Sequence, residues 1–286
     1  MSQRMQASTA KSNIELLDPI WSEIRAESER VMANEPALAS FIFASVLRHD
    51  RLEAAVAYRV AQRLGAFDVD ASLISHAFNE VLATTPELAA TFRADLAAVR
   101  DRDPACTRFV EPLLYFKGFH ALVTHRFAHA LWQSGRRDLA LYLQSQASQI
   151  MAVDIHPAAR FGNGIMLDHA TGFVVGETAV VGDNCSFLHG VTLGGSGKET
   201  GDRHPKIGDN VLIGAGASIL GNIRVGNCSR VAAGSVVLNE VPPMTTVAGV
   251  PAKVIGPAGC PEPARAMNQG LRPGDCTCED LVRSKT

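Results

Sequence analysis

The chain has no charge of either sign to spare: 27 Lys and Arg stand against 29 Asp and Glu, a formal net charge of −2. No basic field is left over for a nucleic-acid backbone or an anionic membrane surface, and neither partner is expected. Any apolar run approaching the length of a membrane span is also missing, and the stretch from Met1 to Asn13 contains no apolar segment of the secretory kind. That stretch does carry Arg4 and Lys11 without an acid, which leaves a transit peptide open; the cytoplasm is the expected location. Six cysteines do not make a disulfide framework in a chain of this size. Cys106 and Cys228 stand alone, while Cys260, Cys276 and Cys278 cluster near the end without a fourth ligand for zinc, so reduced, exposed thiols are expected there.

What the chain does have is length and apolar content, 286 residues at 47% hydrophobic, enough for two regions with cores of their own. Its most regular part runs from Ile155 to Val241, where an aliphatic or aromatic residue recurs every six positions: Val175, Val181, Phe187 and Leu193, then Ile207, Ile213, Ile219, Val225, Val231 and Val237. Four places after each sits a second inward candidate, among them Ala179, Cys185, Val191, Val211, Ala217, Ile223, Ser229, Ser235 and Val241. A helix repeats at three and four and a strand at two. A strict six predicts a solenoid of short flat strands joined by corners. Two irregularities interrupt it. An earlier run of Ile155, Phe161, Leu167 and Phe173 slips two residues before Val175, and the step from Leu193 to Ile207 is fourteen, so a loop containing Gly194 to Lys198 and Asp202 to Pro205 leaves the coil.

Before the solenoid the spacing is helical. Asp18-Pro19 begins a helix carrying Trp21, Ile24 and Val31, and Pro36 opens a long one through Val60 that ends near Gly65. Asp70 caps the next, Pro86 opens another, and Asp101-Arg102-Asp103-Pro104 breaks the pattern. A further helix runs from Pro112 through Trp132 to Gly135, and Leu139 to Ile150 leads into the solenoid. His120, His125 and His129 fall at spacings that resemble a metal face, but no carboxylate or cysteine joins them, and they read as structural or surface groups.

A solenoid core is apolar, so reactive groups must stand on corners, on the loop or at the junction with the helices. Three stretches qualify: Asp154-Ile155-His156-Pro157, Leu167-Asp168-His169-Ala170-Thr171-Gly172 and Asp202-Arg203-His204-Pro205. His169, His189 and His204 are outward by phase. An imidazole takes a proton at neutral pH, a carboxylate behind it fixes its tautomer, and a guanidinium suits a substrate carboxylate.

These residues carry a resemblance to the serine acetyltransferases, a family of hexapeptide-repeat acyltransferases. It runs from about Ile14 to Gly256 and rests on Arg102-Asp103-Pro104-Ala105, Pro112-Leu113-Leu114-Tyr115, Lys117-Gly118-Phe119-His120-Ala121, Val153 to Ala159, Gly164 to Gly172, Gly201 to Lys206 and Ala248-Gly249-Val250-Pro251-Ala252. The resemblance implies an α+β chain: an α-helical domain over 14–150, then a left-handed parallel β-helix over 151–256 with a projecting loop, between a disordered 1–13 and a flexible tail over 257–286. It implies transfer of acetyl from acetyl-CoA to L-serine, with no permanently bound cofactor and no metal. In the same way His169 becomes the general base and Asp154 its orienting acid. Asp103 and Asp168 take the serine ammonium, and Arg203 and His204 its carboxylate. Gly195, Ser196, Gly197, Ala215, Gly216, Ala233, Gly234 and Lys253 line the CoA path. Asp154 precedes His169 by fifteen residues where three hexads make eighteen, so their pairing follows from the resemblance alone.

The resemblance further implies trimers whose sites lie in the grooves between solenoids, paired into hexamers, with feedback inhibition by cysteine. Family tails that end in isoleucine bind O-acetylserine sulfhydrylase; this one ends Leu281-Val282-Arg283-Ser284-Lys285-Thr286, which leaves that partner open. Three other readings compete. An acetyltransferase for a sugar or antibiotic hydroxyl has no use for the amino-acid clamp. A zinc hydratase needs His169, His189 and His204 together, and a scaffold that only binds the sulfhydrylase leaves the base and clamp without a purpose.

Overall fold

The computed structural model describes residues 18–198 and 200–270. Eight helices come first: α1 (Pro19–Asn34), α2 (Ala39–Ile42), α3 (Leu52–Leu64), α4 (Ala71–Thr84), α5 (Leu88–Arg102), α6 (Val110–Leu114), α7 (Lys117–Gln133) and α8 (Arg137–Met151). The expected caps are present: Trp21 N–H donates to Asp18 Oδ1 at 3.2 Å and Ser72 N–H to Asp70 Oδ1 at 2.8 Å, each satisfying a backbone donor that the first turn leaves open. The long helix expected after Pro36 is broken. It becomes a 3₁₀ turn, α2, a π turn over Phe43–Leu47 and then α3, because α1 takes the carbonyls that a continuous helix would use. Arg25 donates to the carbonyls of Leu47 and His49, and Trp21 Nε1 to that of Asp50. The helix expected from Pro112 divides in the same manner into α6 and α7, with Arg59 donating twice to Leu114 O and His120 Nε2 2.7 Å from Leu113 O.

Chain reversal at Ala152, in left-handed geometry, starts the solenoid. One face holds β1 (Val153–Ile155), β4 (Phe173–Val175), β7 (Thr192–Gly194), β10 (Ser218–Leu220) and β13 (Val236–Val237). A second holds β2 (Arg160–Phe161), β5 (Val180–Val181), β8 (Lys206–Ile207) and β11 (Arg224–Val225). The third holds β3 (Met166–Leu167), β6 (Ser186–Phe187), β9 (Leu212–Ile213), β12 (Arg230–Val231) and β14 (Thr245–Gly249), to which β15 (Ala252–Pro257) adds the one antiparallel pair of the three sheets. This is the parallel solenoid that the period of six predicts, and the left-handed β-helix that the resemblance implies. All the six-spaced positions from Val175 to Val237 are buried, as are their partners except the half-buried Ile223. Fully burying each such side chain contributes about 1.5–3 kcal/mol relative to exposure.

Register explains both irregularities. Parallel partners lie eighteen residues apart in a regular coil, as from Val174 to Thr192, but twenty apart from Asp154 to Val174, and twenty-six from Thr192 to Ser218. The two extra residues are in the corner between β3 and β4, and the eight extra ones between β7 and β8. Arg126 of α7 joins the helices to the first coil: it pairs with the fully buried Asp95 of α5 and donates to the carbonyls of Phe161 and Gly162. Asp95 in turn accepts from Ile165 N–H, so both charges are satisfied.

The tail reading for 257–286 divides at the edge of the described residues. Up to Gly270 the chain is docked, with Ala264 of α9 (Pro263–Ala266) fully buried and its carbonyl accepting from Ser186 Oγ at 2.7 Å. Cys260, read as an exposed thiol, is buried for the same reason. Cys276, Cys278 and the terminal residues in question for the sulfhydrylase lie outside the described residues, as does the segment 1–13. No helix among the described residues is long and apolar enough to cross a membrane.

Candidate active site

The enlarged corner between β3 and β4 is where His169 stands. Inserting two residues forces His169 and Ala170 into left-handed geometry, at φ of 55° and 58°. For residues with a Cβ that conformation persists only where the surroundings impose it. Here Phe173 N–H bonds back to Ala170 O, Asp168 N–H to Phe187 O, and the Lys117 ammonium donates to Thr171 Oγ1. The result throws the His169 ring outward: its side chain is 75% exposed, with Nε2 3.8 Å from Asp168 Oδ1 and the ring 6.1 Å from that of His189 on the next coil.

Asp168 is joined by Asp103, which the end of α5 presents and whose Oδ1 accepts from Ala105 N–H at 2.8 Å. Burial, and then the like charge of Asp103, hold the Asp168 carboxyl above its ordinary pKa, against the opposing charges of His169 and His189. Two carboxylates in this state gain from a cation placed between them. They line a cavity of about 280 Å³ with Phe116, Phe119, Lys117 and His169.

Arg203 and His204 are elsewhere, on the edge where β4 turns into β5 and β7 leads towards β8. Arg203 Nη2 donates to Glu177 Oε2 at 2.7 Å, and the backbone N–H groups of Arg203 and His204 both donate to Thr178 Oγ1. His204, expected to face outward, is only 7% exposed. Its ring closes over Gly176, where a Cβ would lie 2.0 Å from Nε2. Thr178 N–H donates to His204 Nδ1 at 3.1 Å, which fixes that nitrogen as the acceptor and leaves the proton on Nε2. Burial, then Arg203 and Lys206, lower the His204 pKa, so the ring is neutral at pH 7.

Asp154 faces outward from β1. Its Oδ1 accepts from Gln144 Nε2 at 2.6 Å, and its charge helps to oppose the burial that lowers the His156 pKa. It forms no ion pair with its own His169. One chain therefore brings together His169, Asp168 and Asp103, and separately Arg203 and His204, with Asp154 on the face between the two edges.

The expected CoA positions divide the same way. Ala215-Gly216 and Ala233-Gly234 stack above His169 on its own edge, where Gly190, Gly216 and Gly234 have φ of 70°, 69° and 67° and each N–H bonds to the coil below. A side chain at these positions would be strained, and none fills the space outside Gly216 or Gly234. Lys253 is at the β14–β15 turn, near the top of that edge. Gly195, Ser196 and Gly197 are on the Arg203 edge. Glu177, Thr178 and Lys117 complete the surroundings; the sequence carries no period or spacing that marks the first two, and Lys117 lay unassigned within a family motif. Among the described residues no three His, Cys, Asp or Glu gather to hold a metal, and His204 is on a different edge from His169 and His189. The Cys106 and Cys185 thiols are pushed up to about 12, first by burial, and are inert.

Residues 20–124 match the family described as serine acetyltransferase, N-terminal, and residues 204–239 match the bacterial transferase hexapeptide family of six repeats. The serine acetyltransferase of Salmonella typhimurium is 52% identical over 89% of this chain and 93% of its own. Among solved structures, the serine acetyltransferase of Brucella abortus in complex with coenzyme A is 59% identical, covers 85% of this chain and 98% of that one, and superposes with a TM-score of 0.84. That of Neisseria gonorrhoeae in complex with serine is 54% identical over 82% and 96%, with a TM-score of 0.80. With both halves of the fold and nearly the whole length of its relatives matched, the chain belongs to the serine acetyltransferase family of transferases.

Proposed function

We propose that this protein transfers acetyl from acetyl-CoA to the hydroxyl of L-serine, releasing O-acetyl-L-serine and CoA in the cytoplasm, as the step that commits serine to cysteine. The observation that carries this reading is the two-residue insertion that sets an exposed imidazole beside two carboxylates, at the foot of a column of bare glycines. His169 removes the hydroxyl proton as the serine oxygen attacks the thioester carbonyl. The tetrahedral intermediate then expels the CoA sulfur, which takes the proton back from His169, so acetyl passes directly between the two substrates. Asp103 and Asp168 hold the ammonium.

The carboxylate clamp, Arg203 with His204, lies on another edge, so a complete site requires the His169 edge of one protomer against the Arg203 edge of the next. A ring of heterologous contacts, such as a trimer, provides that at every interface. Asp154, held by Gln144 within the chain, engages the imidazolium in the assembled groove. A relative solved with cysteine supports cysteine as an inhibitor at the serine position. Sulfhydrylase binding through the C-terminal tail stays a proposal, tested by titrating the sulfhydrylase with a peptide of residues 274–286. The test of the reaction is CoA release from acetyl-CoA with L-serine, without it, and with sugars in its place. Release that depends on serine supports the reading; release with sugars and not with serine contradicts it.

A further inference from the structure

Asp103, Met166 and Asp168 line a second, larger cavity of about 670 Å³, whose remaining walls come from the end of α5 and from Arg265, Met267 and Gln269 of the docked C-terminal segment. Arg102 is on its wall and only 7% exposed. Its Nη1 donates to Cys185 O at 3.2 Å and to Ser186 Oγ at 3.0 Å, while Nε is enclosed with no acceptor. No carboxylate of the described residues lies within 4.0 Å of this guanidinium. The contrast with Arg126 is direct, since that side chain is buried to the same degree and pairs with Asp95 through two nitrogens. The nearby Asp101 is already engaged, by Arg265 at 2.7 Å. A buried cation is expensive unless an anion meets it, and burial accordingly draws the Arg102 pKa below the ordinary arginine value.

The cavity thus has on one wall Arg102, a cation with no carboxylate partner, and on another Asp103 and Asp168, within the volume usual for small-molecule sites. We propose that it binds a small zwitterion whose carboxylate pairs with Arg102 and whose ammonium lies toward Asp103 and Asp168. The proposed acetyl transfer assigns Arg102 no role, so this is a site for a ligand other than the serine that reacts. Because the acidic pair is shared, occupancy competes with serine. The docked C-terminal segment forms the outer wall, through Arg265, Met267 and Gln269.

Calorimetric titration of the full-length protein at constant ionic strength tests this with three probes: 4-aminobutyrate, butyrate and butylamine. Saturable binding is expected for 4-aminobutyrate, and about tenfold weaker binding for each probe lacking one charge. Arg102→Met weakens 4-aminobutyrate at least to the level of butylamine and leaves butylamine unchanged. Should that variant fail to fold, Met267→Trp, which narrows the cavity from the outer wall, decides by weakening binding of all three. Arg203→Ala leaves 4-aminobutyrate binding intact, since that residue belongs to the other edge. The proposal is overturned by the absence of saturable binding to the wild-type protein, by butylamine binding as tightly as 4-aminobutyrate, by unaltered binding in Met267→Trp, or by loss in Arg203→Ala. The last result would place the probe in the serine site and leave the acetyl-transfer reading untouched.

Discussion

Two edges of one solenoid carry the proposed chemistry, and they are finished in opposite ways. Around Arg203 nearly every polar group has a partner inside the protomer: Glu177 for the guanidinium, Thr178 for His204, and Asp202 for Lys206. Around His169 the groups are exposed or in electrostatic conflict, with an outward imidazole, two neighbouring carboxylates and glycines that leave backbone uncovered. The satisfied edge is rigid and can present a guanidinium at a fixed position, as a clamp requires. The unsatisfied edge is where a substrate ammonium and hydroxyl find something to gain. On the proposed reading, such a division makes each edge half of a site.

The largest test removes the base. His169→Ala should lower kcat by about 10²- to 10⁴-fold with the oligomer and its CoA affinity unchanged, checked by steady-state assay and by sedimentation. Retained turnover would remove that edge from the chemistry. Next, Arg203→Ala should raise the KM for serine by about 10- to 100-fold, the usual loss for a charge-assisted hydrogen bond, with little change in the KM for acetyl-CoA.

Asp168→Asn sharpens the comparison from the other side, by predicting that a group important for substrate binding is bad for the fold. Its carboxyl pKa is raised in the folded protein, so the fold loses stability as pH rises through that value. At neutral pH the asparagine variant should therefore melt at a higher temperature while binding serine about 10- to 100-fold more weakly. The gain in melting temperature should shrink as pH falls through the raised pKa and vanish below about 3.8, the ordinary value at which both states are protonated. The smallest effect belongs to the glycine column. Gly216→Ala meets no atom within 4 Å but sits at φ of 69°, so it should cost about 1–3 kcal/mol in stability and raise the KM for acetyl-CoA alone.

Much of this was legible in the residues, because a period of six with inward positions has one economical solution. Even the two-residue slip before Val175 was visible; the structure turns it into the corner that bears His169. Which edge each polar residue occupies was not legible. That depends on register across the fourteen-residue step from Leu193 to Ile207, and phase alone placed His204 outward where its ring closes over Gly176. Helix continuity failed for a related reason. Arg25, Trp21 and Arg59 reach carbonyls distant in sequence and end helices whose own spacing gives no stop signal. The docking of Ala258 to Gly270 was equally hidden, since a Pro- and Gly-rich stretch carries no period to say that Ala264 and Cys260 will be buried.

The proposed division of the site between protomers is tested most directly by mixing two impaired proteins, His169→Ala and Arg203→Ala, after dissociation and reassembly. A site that takes its base edge from one protomer and its clamp edge from the next is intact wherever an Arg203→Ala subunit supplies the former and a His169→Ala subunit the latter. Random mixing in equal amounts should then restore about one quarter of wild-type activity at limiting serine. Activity no higher than the average of the two parents would mean that each chain completes its own site, and would contradict a groove shared between protomers.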